Sequence, residues 1–279
     1  YWVTYPELVK YCGGKCVFAK TKPQNGYKMT AEELESVITD NTRALILNSP
    51  NNPTGAVYTR KELEDIVGVL EKHKNIVIIS DEIYRNLVYG GEKHVSIAAL
   101  SEEMKERTIV IDGMSKSYAM TGWRLGWAIA PENVAKAMTR AQSHITSNVN
   151  SITQYACLTA LTDREHSDKF ISEMRETFAK RRLLAIETLQ KAGVPFIKPN
   201  GAFYVLADVS KSFGKKSPGG EKIENSVDFA DKLLTESGVA VVPGVAFGAD
   251  DYVRISYALG SDSIKKGIEK LGEFLKNCK

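Results

Sequence analysis

Five short apolar runs, at residues 15–18, 43–47, 76–79, 108–111 and 127–130, punctuate the first half of the chain, and stretches with helical periodicity separate them. This alternation constrains the fold more than any other feature. Parallel neighbouring strands need a crossover of about a dozen residues or more, and a helix is its usual form. The expected class is therefore α/β, a mostly parallel sheet flanked by helices. The segment from Arg60 shows one such crossover: Thr59 is a candidate N-cap, Glu62 completes a capping box, and Leu63, Ile66, Val67 and Leu70 recur at helical spacing. Ligands of open α/β sheets collect beyond the carboxyl ends of the strands, so polar residues that follow the runs deserve the closest reading.

A long helical pattern over residues 163–192, with Phe170, Met174, Phe178, Leu183 and Leu189, stops at Gly193, Val194 and Pro195. Beyond it lie strand-like segments at 202–207, 239–242 and 252–257, a polar loop at 211–225, a helix at 226–237 and a last helix from Ser261. With 279 residues, the expected division is a large domain over 1–165, a connecting helix over 166–192 and a smaller α+β domain over 193–279. No internal repeat is present.

Composition narrows the function classes. The 37 basic and 34 acidic residues give a net charge of +3, and the basic residues are dispersed, so neither a nucleic acid nor a membrane surface is called for as partner. No apolar run approaches the roughly 18 residues of a membrane helix. Cys12, Cys16, Cys157 and Cys278 are sparse and complete no zinc ligand set, so no metal is expected; free thiols in a reducing cytoplasm are the simpler reading.

Three motifs place polar groups after strand-like runs: Asn48-Ser49-Pro50-Asn51-Asn52-Pro53-Thr54-Gly55, Ser80-Asp81-Glu82-Ile83-Tyr84, and Gly113-Met114-Ser115-Lys116 continuing to Arg124. A lysine at a strand end facing a buried site is desolvated, which pushes it toward the neutral, nucleophilic amine. Such a lysine can form a Schiff base. Taken singly each motif also has a bland reading: a surface lysine, a capping aspartate, a turn asparagine before Pro53.

In this order the motifs resemble those of class I aminotransferases, which are pyridoxal 5'-phosphate (PLP) enzymes of fold type I. With Tyr1-Trp2-Val3-Thr4-Tyr5-Pro6-Glu7 and Ala119-Met120-Thr121-Gly122-Trp123-Arg124 added, the resemblance is nearest the prokaryotic-type aspartate aminotransferase branch and runs over essentially the whole chain. It implies an aminotransferase that moves an α-amino group between an amino acid, aspartate, and a 2-oxo acid, 2-oxoglutarate, by a ping-pong cycle. A lyase on the same fold and a non-catalytic PLP-binding sensor of a transcription regulator are the alternatives. By resemblance Lys116 is the Schiff-base residue and proton carrier, Asp81 partners the pyridine nitrogen, and Tyr84 and Asn52 donate to the phenolic oxygen. Arg124 holds the phosphate, Arg254 and Asn52 the substrate carboxylate, Trp2 stacks on the ring, and Phe203 closes the pocket. The family often has a serine three residues before the lysine; Gly113 stands there, with Ser115 beside the lysine. Thr146-Ser147-Asn148 falls where the family sends a loop to the neighbouring subunit, implying a homodimer with shared sites. The family places further residues before Tyr1, including part of the side-chain recognition apparatus, so the sequence reads as amino-terminally incomplete.

Overall fold

A computed structural model describes residues 1–279. In chain order the helices and strands are α1 (Thr4–Tyr11), α2 (Ala31–Glu35), β1 (Ala44–Asn48), α3 (Arg60–Leu70), β2 (Val77–Asp81), α4 (Glu102–Arg107), β3 (Thr108–Gly113), α5 (Met114–Ser117) and β4 (Gly126–Ile129). There follow α6 (Glu132–Ile145), α7 (Ser151–Thr162), α8 (Arg164–Ala192), β5 (Phe196–Ile197), β6 (Tyr204–Asp208), α9 (Ser226–Ser237), β7 (Val242–Pro243), β8 (Tyr252–Ser256) and α10 (Ser261–Asn277). The chain divides into two compact units. One comprises residues 18–50 and 57–175; the other comprises 1–17, 51–56 and 176–279, so the division falls inside α8.

The first unit is the α/β one. Its sheet has the order β1-β2-β3-β4, with β1, β2 and β3 parallel and β4 antiparallel to β3. The crossover α3 starts at the expected capping box: Thr59 Oγ1 accepts from Glu62 N at 3.3 Å, and the Glu62 carboxylate accepts from Thr59 N at 2.8 Å. Its apolar face, Leu63, Ile66, Val67 and Leu70, packs with Ile76, Ile78 and Met104 into the core of this unit. Burying such side chains contributes about 1.5–3 kcal/mol each before ordering costs, which fixes the helix against the sheet and hence the strand ends. Residues 15–18 form no strand, contrary to the sequence reading; Val17 and Phe18 are exposed.

The second unit is built on an antiparallel sheet of order β5-β6-β8-β7. Val205 and Ala207 of β6, Val253 of β8, Phe229 and Leu233 of α9, and Ile264, Ile268, Leu271 and Phe274 of α10 form its core. The segment expected as a strand at 239–242 contributes only β7. In the second half of α8, Arg182, Ala185, Ile186 and Leu189 lie on one buried row at spacings of three, four and seven, with Thr188 also buried, whereas Leu183 is 51% exposed. A charged side chain, not the leucine beside it, occupies the inward row. The helix stops where Gly193 takes a left-handed φ of 71°. No helix is long and apolar enough to cross a membrane.

Candidate active site

In the α/β unit, strand register sets the positions of the chemically useful groups. Asp81 ends β2 opposite Ile111 of β3, and two residues beyond Ile111 the chain turns into α5, which carries Lys116. The Asp81 carbonyl accepts from Asn48 Nδ2 at 3.0 Å and Ser49 N at 3.2 Å, and its Oδ1 accepts from Ile83 N at 3.1 Å. Both backbone and carboxylate are thereby oriented. Tyr84 is 3% exposed, and the half-buried Lys116 places its Nζ 5.9 Å from the centre of the Tyr84 ring. Ser117 Oγ, one residue further, is buried and makes no hydrogen bond. Arg124 is exposed in a left-handed conformation, φ 57°, and donates from Nη1 to Thr121 O at 2.8 Å.

The glycine where the family often has serine has a steric reason here. Gly113 pairs in register with Gly126 on β4, and a Cβ on Gly113 would stand 2.9 Å from Gly126 Cα and 2.9 Å from Leu125 O. Backbone on both sides leaves no room for a side chain. Behind this strand end Asp112 accepts from Gly113 N at 2.7 Å and pairs with Arg85 Nε at 2.6 Å. Burial raises the Asp112 carboxyl above its ordinary value, against the opposing pull of Arg85.

A further buried polar set went unread in the sequence. Glu82, 4% exposed, accepts from Ser80 Oγ at 2.9 Å and Ser96 Oγ at 2.6 Å, and its other oxygen lies 2.8 Å from His94 Nε2. Burial alone would raise this carboxyl, but the hydrogen bonds from His94 and Ser96, the His94 charge and the Ser80 bond together lower it. His94 lies twelve residues beyond Glu82, and no spacing rule joins the two.

In the second unit the groups come from opposite ends of the sequence. Arg254 on β8 donates from Nη1 to Asn52 Oδ1 at 2.9 Å across 202 positions. Its guanidinium carbon lies 4.4 Å from the Tyr204 ring centre and 4.8 Å from that of Phe247, which fixes the plane of the fork. Asn52 is buried, in a hexapeptide closed on itself: Asn51 N donates to Ala56 O at 2.9 Å, and Asn51 Oδ1 accepts from Thr54 N and Oγ1 at 3.1 and 2.8 Å. Phe203 stacks on Phe178 at 5.4 Å and packs against the core of this unit, and Trp2 lies edge-on to Tyr5 at 5.4 Å. The structure thus groups Asp81, Tyr84, Lys116 and Arg124 in one unit, and Trp2, Asn52, Phe203 and Arg254 in the other. Thr146, Ser147 and Asn148 form an exposed turn between α6 and α7.

Comparison with known proteins identifies the family. The family described as "Aminotransferase class I and II" matches residues 1–271. An aspartate aminotransferase of Bacillus sp. (strain YM-2) is 47% identical over 277 residues, covering 99% of this chain and 68% of its own. The crystal structure of the aspartate aminotransferase from Rhizobium meliloti superposes with a TM-score of 0.94 at 38% identity, over 100% of this chain and 69% of that one. An aromatic aminotransferase from Pyrococcus horikoshii OT3 gives 0.91 at 40%, over 99% and 71%. With strand-end carboxylate and lysine in one unit and the asparagine–arginine pair in the other, the chain belongs to the class I and II aminotransferases, PLP-dependent enzymes of fold type I.

Proposed function

We propose that the protein transfers the amino group of aspartate to 2-oxoglutarate, with Arg254 and Asn52 gripping the substrate α-carboxylate. The observation that carries this reading is the Arg254–Asn52 hydrogen bond, 2.9 Å long, which presents a planar cationic fork and a side-chain amide side by side. The donor set also fits the cofactor: an amine at Lys116, a carboxylate at Asp81, a buried phenol at Tyr84 and a guanidinium at Arg124. When bound, PLP supplies an electron sink for the pair left when the substrate Cα–H bond breaks.

The chain's own residues do the rest. Lys116 would hold the cofactor through its amine and, with that amine free, take the Cα proton; its Nζ lies 5.9 Å from the centre of the Tyr84 ring. Asp81, oriented by Ile83 N, would partner the pyridine nitrogen. Tyr84 through its hydroxyl and Asn52 through its amide would serve as donors to the cofactor, and Arg124 would hold its phosphate. Trp2 and Phe203 supply apolar walls, and the exposed turn at Thr146–Asn148 serves a homodimer, with the reducing cytoplasm as its setting. Aspartate is chosen over an aromatic substrate on the names of the more identical relatives.

The test is to mix the protein with PLP, add aspartate, follow the visible spectrum, trap the adduct with borohydride and map the labelled peptide. A label on Lys116, conversion to the amino form of the cofactor, and kcat/KM for aspartate well above that for tyrosine are the expected results. A label on another lysine overturns the catalytic assignment, and a preference for tyrosine overturns the substrate.

A further inference from the structure

The inward-facing arginine of α8 has no part in the roles above. Arg182 is 5% exposed on the row it shares with Ala185, Ile186 and Leu189, where an apolar side chain is the ordinary occupant. Its Nε donates to Pro199 O and its Nη2 to Asn200 Oδ1, the latter at 3.1 Å. Both acceptors belong to one turn. The next bonds in the series run from that turn to the hexapeptide: Asn200 N and Gly201 N both donate to Gly55 O, at 2.8 and 2.7 Å.

The join is tight as well as bonded. Gly55 has φ 69°, and a Cβ there would stand 2.3 Å from Pro199 Cβ. Because the hexapeptide is closed by its own hydrogen bonds, a shift of the 199–201 turn moves it as a body, and with it Asn52. Tyr257 also donates at the end of the turn, to Gly201 O at 3.5 Å and to Ala202 O at 3.2 Å, but from a single hydroxyl. Only a planar fork can satisfy a carbonyl and a neighbouring amide oxygen from one side chain at fixed relative angles.

We infer that Arg182 is a positioning residue for substrate binding: through the 199–201 turn and Gly55 it sets where Asn52 meets Arg254, and so the affinity for the α-carboxylate. This rests on the reading of Asn52 and Arg254 given above. Displacement of a positioning group by about 1 Å costs on the order of 10²-fold in such sites, and a partial shift correspondingly less.

The variant R182K keeps the charge and most of the stem but cannot span both acceptors. In the PLP-loaded enzyme it is expected to raise KM for aspartate, and the dissociation constant for the dicarboxylate maleate by calorimetry, about tenfold, with kcat within about twofold and PLP affinity unchanged. N200A, which removes one half-exposed acceptor, is expected to give the same pattern at about threefold, and stands in should R182K not fold. A lowered melting temperature with unchanged maleate affinity in both variants would reduce Arg182 to a structural residue and overturn the inference. R254K measured alongside separates the two layers. If R254K leaves maleate binding intact, the carboxylate reading itself falls; if R254K weakens it and R182K does not, only the inference falls.

Discussion

The two units place their chemistry by different means. In the α/β unit, Asp81 and Lys116 follow the ends of neighbouring parallel strands, and each is aimed by bonds close at hand: Ile83 N on Asp81, and the Asp112–Gly113 and Met114–Leu125 bonds around the start of α5. In the other unit, Asn52 and Arg254 meet across 202 positions, and the hexapeptide that carries Asn52 is clasped to a distant turn. The first arrangement is as stiff as a sheet. In the second, by the inference above, a displacement of one turn reaches Asn52.

The largest effect that would test this contrast comes from the stiff side. K116A is expected to lower kcat by about 10⁴-fold or more, with the folded state and maleate affinity nearly intact, since one residue is removed and its surroundings are fixed independently. Single-turnover kinetics together with maleate calorimetry check both halves of that statement. Simultaneous loss of maleate binding would show that the two units do not divide the work as assigned.

Next in size is the pair in the other unit. R254K is expected to reduce kcat/KM for aspartate by about 10²-fold, chiefly through KM, because a charge-assisted fork is replaced by a point charge. A double-mutant cycle with N52A should return a coupling of about 1 kcal/mol, the signature of two groups that act as one. Independent, additive effects would break the idea of a joint grip.

The sequence was legible where local rules operate. Polar residues after apolar runs put Asp81 and Lys116 at or just beyond strand ends, where they are, the capping box revealed α3, and the helix expected at 226–237 is α9. It was illegible where the deciding contact is remote or belongs to the backbone. Counting apolar residues along α8 credited Leu183, which is exposed, and hid Arg182, since a charged residue on an inward row can be recognised only from the acceptors it meets. Gly113 read as a missing serine donor; only the register with Gly126 reveals that a side chain has no space. The run at 15–18 had strand composition and forms no strand.

Two glycines sharpen the comparison at smaller scale. G55A forces a Cβ onto a left-handed residue and into Pro199, and G113A forces one into Gly126 and Leu125, so each is expected to cost about 1–3 kcal/mol of unfolding free energy. Their functional signatures should differ. G55A should raise KM for aspartate and leave PLP affinity unchanged, while G113A should weaken PLP binding and leave maleate affinity per loaded site unchanged. Denaturant melts with PLP and maleate titrations decide it, and interchangeable signatures would mean that strain spreads through both units alike.

The smallest effect concerns the buried acid next to Asp81. The Glu82 carboxyl is lowered in the folded protein, so the stability it contributes is complete above its unfolded value near 4.3 and disappears as pH falls through the folded value. Asp112 works in the opposite sense: its raised carboxyl contributes stability below its unfolded value, which is lost as pH rises through the folded one. A bare acid titration of stability therefore mixes two opposed contributions. S96A removes one bond, 2.6 Å long, from Glu82 and leaves Asp112 untouched, so the difference between S96A and the parent isolates Glu82. At pH 7 that difference should be about 1 kcal/mol in favour of the parent, and it should shrink toward zero as pH falls through the lowered folded value and Glu82 is protonated in both. A difference independent of pH would mean that Ser96 acts by packing alone, and that the charge beside Asp81 is held by His94 and Ser80 without it.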